Sequence, residues 1–340
     1  MSGYMKWLAE NTPGTWWIDS IDPDDVKGAI SLGAKGITTN PFLCAKALQA
    51  KPDYWRKVLG KLPGASVDER AQEILRRMVV HAADWIRPVY DAANKQQGYI
   101  CCQINPRLYG DVDAQAEQAL QISRYAPNIS VKFPMSNAGL KAMESCIAQG
   151  IPVTGTLSFT LAQVIAIAEA YERACVKAGS SGIKPGLCNA VIMIGRLEDY
   201  LMFAARDMGK SELYADIPNA GVLITKKAAK IFKERGYSAV LLPSGMRGAH
   251  QIQNLAGLPG IFSISPNLAD DLENQNTPQN EKLNEPEDLD LVSRLSVLKD
   301  FRRAYESDGL KPDEFLGFGS FQQTITQFLE SGWLRMGVFE

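Results

Sequence analysis

The sequence has little of several features that mark common protein classes, beginning with an excess of charge. Of its 340 residues, 36 are Lys or Arg and 38 are Asp or Glu, and no basic block stands out. This balance gives no electrostatic reason to expect a nucleic-acid or membrane partner. No apolar run approaches the roughly 20 residues that cross a bilayer. Met1 to Asn11 lacks the basic-then-apolar order of a signal peptide, so we expect no secretion signal.

Paired cysteines are also missing. The six cysteines show no C-x-x-C motif and no disulfide-like spacing. We interpret them as reduced thiols, mostly small core residues, and expect a cytoplasmic protein. They are Cys44, Cys101, Cys102, Cys146, Cys175 and Cys188.

What the sequence does contain is a series of short apolar runs, each followed by a helical pattern. An apolar fraction of 46% and a charged fraction of 22% are usual for a globular chain. Eight strands are predicted, at 14–19, 35–39, 99–104, 129–133, 151–154, 187–194, 237–242 and 260–264. Strands that alternate with helices favour an α/β protein, a parallel (β/α)8 TIM barrel. The alternative, an open doubly wound sheet, would usually carry a Gly-rich phosphate turn where Asp19-Ser20-Ile21-Asp22 stands.

The helical patterns and a change in composition predict three parts of the chain. Residues 1–272 form the barrel, 273–290 a polar linker, and 291–340 a C-terminal helical extension packed on the barrel. Two helices are predicted in the extension, at about 291–307 and 312–329. We favour packing over a subunit contact or a lid, and leave a homo-oligomer open. The apolar side chains that support packing are Phe315, Phe318, Phe321, Phe328 and Trp333.

Lys132 lies inside the predicted fourth strand, between Val131 and Phe133. Such a lysine must reach water at a strand end or be held in the interior, where desolvation favours the neutral amine. A neutral amine is the nucleophile of Schiff-base chemistry. From these residues alone, a strand-end lysine in contact with water is the favoured interpretation.

The barrel prediction gives a shared location to polar residues that follow different strands. In this fold, chemistry gathers at the C-terminal ends of the strands. Taken singly, each residue has an ordinary explanation: Asp19 as a helix cap, Asn40 as a turn former, and Arg196 as a solvated helix start. Together they predict one site at the mouth of the barrel. The set is Asp19, Asn40, Gln103, Lys132, Thr154, Thr156, Arg196, Ser244 and Arg247.

Several motifs together resemble the transaldolase family, including its fructose-6-phosphate aldolase branch. The resemblance covers roughly residues 14–272. It is carried by G-I-T-T-N-P-F-L at 36–43, V-K-F-P at 131–134, G-I-P-V-T-G-T-L-S-F-T at 150–160, Gly195-Arg196, and the S-P ending at 265–266. It implies that Lys132 is the Schiff-base lysine, which makes it the best candidate for the reactive group.

The same resemblance implies roles for the other mouth residues. Asp19 would take the proton from the hydroxyl on the departing carbon, while Gln103 and Thr156 would hold the catalytic water. The remaining residues would bind the substrate, a sugar phosphate: Asn40 a donor hydroxyl, and Arg196 and Arg247 the phosphate. Thr154 and Ser244 are also predicted to bind the substrate. No cofactor and no metal are implied, and only His81 and His250 could serve as imidazole ligands.

Three positions depart from the family pattern. Thr154 replaces an asparagine, Val191 a serine and Met193 an aromatic residue. Loss of polar contacts to the donor predicts a less hydroxylated donor, such as hydroxyacetone. Transfer to an aldehyde and release by water, as in a hydrolytic aldolase, stay open as outcomes. A non-catalytic sugar-phosphate-binding barrel and a barrel of unrelated chemistry are the alternatives.

Overall fold

The computed structural model describes residues 3–64, 66–275 and 277–340. Residues 1, 2 and 65 of the predicted barrel and Asn276 of the predicted linker therefore lie outside the described residues. The strands are β1 Thr15–Ile18, β2 Gly36–Ile37, β3 Tyr99–Gln103, β4 Ile129–Pro134, β5 Val153–Thr156, β6 Cys188–Met193, β7 Val240–Ser244 and β8 Ile261–Ile264.

These strands form one parallel sheet whose order follows the chain. Each strand from β1 to β6 pairs with the next, and β1 also pairs with β8. Strand β7 approaches β8 closely enough that a Cβ on Gly260 would lie 2.6 Å from the Leu241 carbonyl oxygen. The predicted (β/α)8 barrel is thus confirmed. A doubly wound sheet does not fit, because the first and last strands are neighbours.

Helices surround the barrel and connect successive strands. They are α1 Tyr4–Asn11, α2 Pro23–Ser31, α3 Pro41–Ala50, α4 Pro52–Leu59, α5 Val67–Ala92, α6 Val112–Ile122, α7 Asn137–Ala148, α8 Leu161–Ser180, α9 Ile194–Asp207, α10 Ala220–Arg235, α11 Ala249–Leu255, α12 Pro266–Asn274, α13 Leu289–Leu295, α14 Lys299–Tyr305, α15 Gly319–Gln327 and α16 Leu334–Gly337. None of the helices in the described part of the chain has the length and apolarity that crossing a bilayer requires.

Some predicted boundaries are wrong for identifiable reasons. The seventh strand begins at Val240 rather than 237, because the Tyr237 N–H donates to the Phe232 carbonyl oxygen and still belongs to the end of α10. The single helix predicted over 291–307 is two helices, α13 and α14. The chain turns between them at Leu298, whose extended backbone lets Leu295 and Leu298 both reach the core.

The C-terminal extension lies across the end of the barrel where the strands finish. The Phe321 ring packs 6.3 Å from Tyr109, which follows β3, and the Phe318 ring packs 6.4 Å from Phe159, which follows β5. A π-helical turn, Phe328–Trp333, continues this path. The extension therefore contacts the mouth of the barrel.

The extension also reaches the end of β2. Gly332 lies so close to Pro41 and Phe42 that an added Cβ would approach their backbone to 2.6 Å, which only glycine allows. The Trp333 indole N–H donates to Asp68 at the start of α5. The division of the chain into barrel, linker and extension stays a prediction in its boundaries.

Candidate active site

Lys132 is held inside the barrel. Only 5% of its surface is exposed, and Nζ donates to the Thr39 carbonyl oxygen at 3.1 Å. No carboxylate of the described residues forms an ion pair with it. The interpretation of Lys132 as a strand-end lysine in contact with water is therefore wrong. Strand alternation explains this: Val131 and Phe133 face the helices, so Lys132 faces the interior.

Asp19 follows β1 and is tied to the end of β2. Its Oδ1 accepts a hydrogen bond from the Thr38 hydroxyl at 2.7 Å. Because Thr39 holds the Lys132 amine, two consecutive residues hold the two predicted reactive groups. Asp19 does not cap α2, since the cap is Asp22, whose Oδ1 accepts from the Asp24 N–H at 2.9 Å. Sequence reasoning missed Thr38 and Thr39 individually, although both lie in the quoted T-T-N-P motif.

The Cys101 thiol is influenced by the charges of both Asp19 and Lys132. Burial raises the pKa of Cys101, the charge of Lys132 lowers it, and the charge of Asp19 raises it further. Electrostatic influence of this kind requires both groups to lie within several Å of the same sulfur. The lysine and the carboxylate predicted to react therefore both lie near the Cys101 sulfur.

Gln103 and Thr156 lie on the strands that flank β4. Gln103 is the register partner of Lys132, and its Nε2 donates to the Lys132 carbonyl oxygen at 3.2 Å. Its Oε1 is buried and has no hydrogen-bond partner among the described residues. The Thr156 hydroxyl, also buried, lies 3.9 Å from the Met193 sulfur. Gln103 thus keeps a free acceptor deep in the barrel, where a water or substrate hydroxyl would satisfy it.

Thr154 belongs to a polar cluster that contains an asparagine missed by sequence reasoning. Its Oγ1 lies 2.8 Å from the Ser130 hydroxyl and 3.7 Å from Cys101 Sγ. It also accepts from Asn189 Nδ2 at 3.2 Å. The signal for Asn189 was available: it stands two residues before Val191, so it shares that residue's face of the strand.

The two polar atoms of the Asn40 side chain have different roles: one caps a helix and the other has no partner among the described residues. Its Oδ1 accepts from the Leu43 N–H at 3.0 Å, which caps helix α3, and Pro41 begins that helix. Its Nδ2 makes no hydrogen bond with the residues that the structure describes. The amide N–H groups therefore stay available at the mouth.

Arg196 stands in the first turn of α9, which follows β6 without a loop. Its guanidinium carbon lies 5.6 Å from the centre of the Phe328 ring. Within the described chain it forms neither an ion pair nor a hydrogen bond. Burial lowers its pKa, the charge of Arg247 lowers it further, and Asp19 and Asp199 act in the opposite direction. Arginine stays protonated even so, which leaves an unpaired cation at the mouth.

Arg247, by contrast, is already engaged. Its Nη2 lies 2.5 Å from Asp199 Oδ2, and its Nη1 donates to the Gly245 carbonyl oxygen at 2.6 Å. The loop after β7 packs against the start of α9, since a Cβ on Gly195 would lie 2.1 Å from that same oxygen. Ser244, at the end of β7, has a buried hydroxyl without a partner among the described residues. Ser244 and the two arginines predicted to bind the phosphate therefore lie on neighbouring segments.

Behind this loop lies a buried acid that sequence reasoning also missed. Glu198 Oε1 accepts from the Gly221 N–H at 3.0 Å and Oε2 from Gln251 Nε2 at 2.5 Å. Gln251 Oε1 in turn accepts from the backbone N–H of Arg247 at 2.7 Å. Burial raises the pKa of Glu198 to about 8. The network fixes the backbone that carries Arg247.

Comparisons with known proteins identify a family and several relatives of this chain. The family described as Transaldolase/Fructose-6-phosphate aldolase matches residues 16–311. A protein named Transaldolase from Mycobacterium ulcerans is 26% identical over 229 residues, 64% of this chain and 61% of that protein. Transaldolase 1 from Streptomyces coelicolor is 34% identical over 190 residues, 54% of this chain and 50% of that protein.

A third relative, named Transaldolase, from Thiobacillus denitrificans, is 26% identical over 245 residues, 68% of each protein. This chain spans only 61% of the length of the Mycobacterium relative, so the likeness covers part of that protein. The match to the family, however, extends over nearly all of the barrel. It confirms the resemblance seen in the motifs, and the chain belongs to the transaldolase/fructose-6-phosphate aldolase family.

Proposed function

We propose that this chain is a class I, Schiff-base enzyme that cleaves a ketose phosphate and transfers its three-carbon ketol unit to an aldehyde. The observation that supports this most is Lys132, a residue only 5% exposed, whose amine has the Thr39 carbonyl as its one hydrogen-bond partner among the described residues. A buried amine without a carboxylate partner is poised to act as a nucleophile. Asp19, held by the neighbouring residue Thr38, supplies the matching base.

The first half of the reaction breaks the donor. The Lys132 nitrogen attacks the ketose carbonyl carbon, and loss of water gives a protonated imine. Asp19 takes the proton from the hydroxyl on carbon 4, and the carbon 3–carbon 4 bond breaks. Its electron pair enters the imine to give an enamine on Lys132, and an aldehyde leaves.

The second half builds the product. The enamine carbon attacks an acceptor aldehyde, whose oxygen receives the proton from Asp19, and the imine forms again. Water held by Gln103 Oε1 and Thr156 then adds to the imine, and the new ketose leaves as the amine is restored. If a proton adds to the enamine carbon instead, the imine of dihydroxyacetone forms, water hydrolyses it to free dihydroxyacetone and the Lys132 amine, and the enzyme is a hydrolytic aldolase.

The substrate's phosphate binds at the far side of the mouth. Arg196 offers a guanidinium with no partner in the described chain, and Arg247 lies beside it. A planar fork of N–H donors suits phosphate oxygens. Ser244 contributes an unpaired hydroxyl, and Asn40 Nδ2 binds a donor hydroxyl. No step in this scheme calls on a metal or cofactor.

Isotope labelling tests the proposal against its alternatives. A ketose phosphate with carbon-13 at carbons 1–3 is incubated with the protein and an aldehyde acceptor, and the products are followed by NMR. Transfer predicts the label in a new ketose, whereas a hydrolytic aldolase predicts it in free dihydroxyacetone. A non-catalytic barrel leaves the label in the donor. Activity that survives in Lys132→Met would indicate unrelated chemistry.

A further inference from the structure

Asn189 lies two strands away from the reactive lysine and is linked to it by the register of the sheet. Lys132 pairs in register with Thr154, and Thr154 pairs with Asn189, on the consecutive strands β4, β5 and β6. Neighbouring strands are spaced by about 4.8 Å, so the backbone of Asn189 stands about 10 Å from that of Lys132. Both side chains face the barrel interior, where a fragment bonded to the lysine amine would also lie.

The hydroxyl of Thr154 determines how the Asn189 amide is oriented. Thr154 Oγ1 accepts from Asn189 Nδ2 at 3.2 Å and from Cys101 Sγ at 3.7 Å. A hydroxyl has two acceptor positions and one proton, so Thr154 donates to Ser130, 2.8 Å away. This uses the full capacity of the Thr154 hydroxyl. The Thr154 hydroxyl therefore affects a ligand only through Asn189. Because it holds Asn189 Nδ2 towards β5, Asn189 Oδ1 points away from β5.

That oxygen is unpaired among the described residues. Asn189 is 7% exposed and Lys132 5%, while Thr154 between them is fully buried. Asn189 Oδ1 is therefore an acceptor that no described residue uses, which leaves it open to a donor on a ligand. The only groups on a ketose donor that can donate to it are hydroxyls.

The depth of Asn189 in the barrel indicates which hydroxyl of the donor it contacts. Asn189 precedes Val191 by two residues, so it lies about 6.6 Å deeper than Val191 at the usual rise per residue. The acceptor aldehyde arrives from the mouth, so the carbon that forms the new bond must face the mouth. The other end of the donor, carbon 1 with its hydroxyl, then points inward towards Asn189.

We propose that Asn189 Oδ1 accepts a hydrogen bond from the carbon 1 hydroxyl of the donor, and that this contact selects dihydroxyacetone units over 1-deoxy donors. The inference rests on the proposed Schiff-base function and deepens it. It also opposes the less hydroxylated donor expected from Val191 and Thr154. In this proposal Asn189, two residues before Val191 on β6, supplies a polar contact that Val191 cannot make.

Two donors that differ in one hydroxyl test the contact. Dihydroxyacetone carries the carbon 1 hydroxyl and hydroxyacetone carries a methyl group there. With one aldehyde acceptor, the unaltered protein is expected to use dihydroxyacetone more efficiently. Asn189→Leu, which keeps the size and removes the acceptor, should lower kcat/KM for dihydroxyacetone by about 10-fold or more. The value for hydroxyacetone and the KM of the acceptor should change less than about 2-fold.

Thr154→Val separates positioning from contact. It should reduce dihydroxyacetone use by a smaller factor and have no further effect in the Asn189→Leu background, because Thr154 acts through Asn189. Val191→Ala, on the same face of β6, is the matched control and should change both donors alike. Asn189→Ser provides a second, smaller side chain that cannot reach the ligand and should show the same selective loss if Asn189→Leu fails to fold.

The outcomes distinguish this inference from the function on which it rests. Borohydride reduction of the unaltered protein with each donor, followed by mass spectrometry, shows whether Lys132 forms an adduct. An adduct together with a hydroxyacetone preference, or with equal losses for both donors in Asn189→Leu, overturns the role of Asn189 and leaves the Schiff base in place. The absence of any adduct overturns both.

Discussion

Two groups of buried polar side chains lie inside this fold, and they differ in how completely their atoms are paired. We call the first the lumen cluster: Lys132, Gln103, Thr154, Asn189 and Ser244. We call the second the Glu198 cluster: Glu198 with Gln251 and the backbone of Gly221, Arg247 and Gly248. In the lumen cluster, Gln103 Oε1 and Ser244 Oγ are buried without partners in the described chain.

In the Glu198 cluster both carboxyl oxygens accept hydrogen bonds, and Gln251 Oε1 accepts from two backbone N–H groups. A fully paired buried network fixes a conformation, whereas unpaired capacity costs free energy unless a ligand uses it. The comparison indicates that the lumen cluster is built for a substrate and the Glu198 cluster for the loop that carries Arg247.

The largest effect is expected at the amine of the lumen cluster. Lys132→Met keeps the length of the side chain and removes the nucleophile, so turnover should fall by at least about 10³-fold. The free energy of unfolding should not fall, because a buried amine with one neutral acceptor is removed. Steady-state kinetics and urea unfolding measure the two quantities. Lys141→Met, at an exposed position of α7, is the control, and equal activity in both variants would contradict the account.

The two arginines extend the comparison to the mouth, since one is unpaired and the other is bound to Asp199. Arg196→Met should raise the KM of a phosphorylated substrate by about 10- to 100-fold, the worth of a charge-assisted contact. Arg247→Met should raise this KM by less than about 10-fold, because the Arg247 guanidinium already forms an ion pair with Asp199. Unphosphorylated substrates should be nearly unaffected by either change. The reverse order of the two KM values would be inconsistent with phosphate binding at Arg196.

Two buried serines give a smaller and sharper contrast. Ser244→Ala should raise KM by a few-fold while leaving the free energy of unfolding unchanged or higher by about 1 kcal/mol, since an unpaired hydroxyl is lost. Ser136→Ala should do the opposite and lower stability by about 1 kcal/mol. The Ser136 hydroxyl caps α7 by accepting from Gly139 and donates to the Tyr109 carbonyl. A stability loss in Ser244→Ala would show that its hydroxyl is structural.

The last prediction concerns the Glu198 cluster and the effect of pH on stability, not on turnover. Burial raises the pKa of Glu198 from its ordinary 4.5 to about 8, so the folded chain holds one more proton than the unfolded chain between these values. Stability should therefore fall as pH rises through this window, with a slope of up to about 1.4 kcal/mol per pH unit. Glu198→Gln removes this dependence, whatever constant offset it adds. Urea midpoints of the unaltered protein and of Glu198→Gln, measured from pH 5 to 9, show the pH dependence of stability in each. Parallel curves of midpoint against pH would contradict the assignment to Glu198.

The sequence predicts the barrel well, because short apolar runs bounded by glycine and proline mark each strand independently. It also predicts the location of the site, since one rule about strand ends applies to all of its residues. It does not predict pairing between distant positions. The contact of Thr154 with Asn189 depends on the register of β5 with β6, and the unpaired state of Arg196 depends on where Phe328 comes to lie.

Local pattern also misjudged Lys132 when taken alone. The residue type favours water, and only the closed sheet determines that the face opposite Val131 and Phe133 is an interior one. Glu198 was missed for a related reason: its neighbours Asp199 and Leu197 fit an ordinary amphipathic helix. Its burial follows from packing of α9 against the chain around Gly221 and Gln251.

The central claim is that the Lys132 amine bonds covalently to a ketose. Reduction with borohydride in the presence of fructose 6-phosphate, followed by digestion and mass spectrometry, tests it most directly. We predict a stable adduct of a three-carbon or six-carbon sugar unit on the peptide that contains Lys132, and none in Lys132→Met. An unmodified Lys132 in protein that still turns over the ketose would contradict the account.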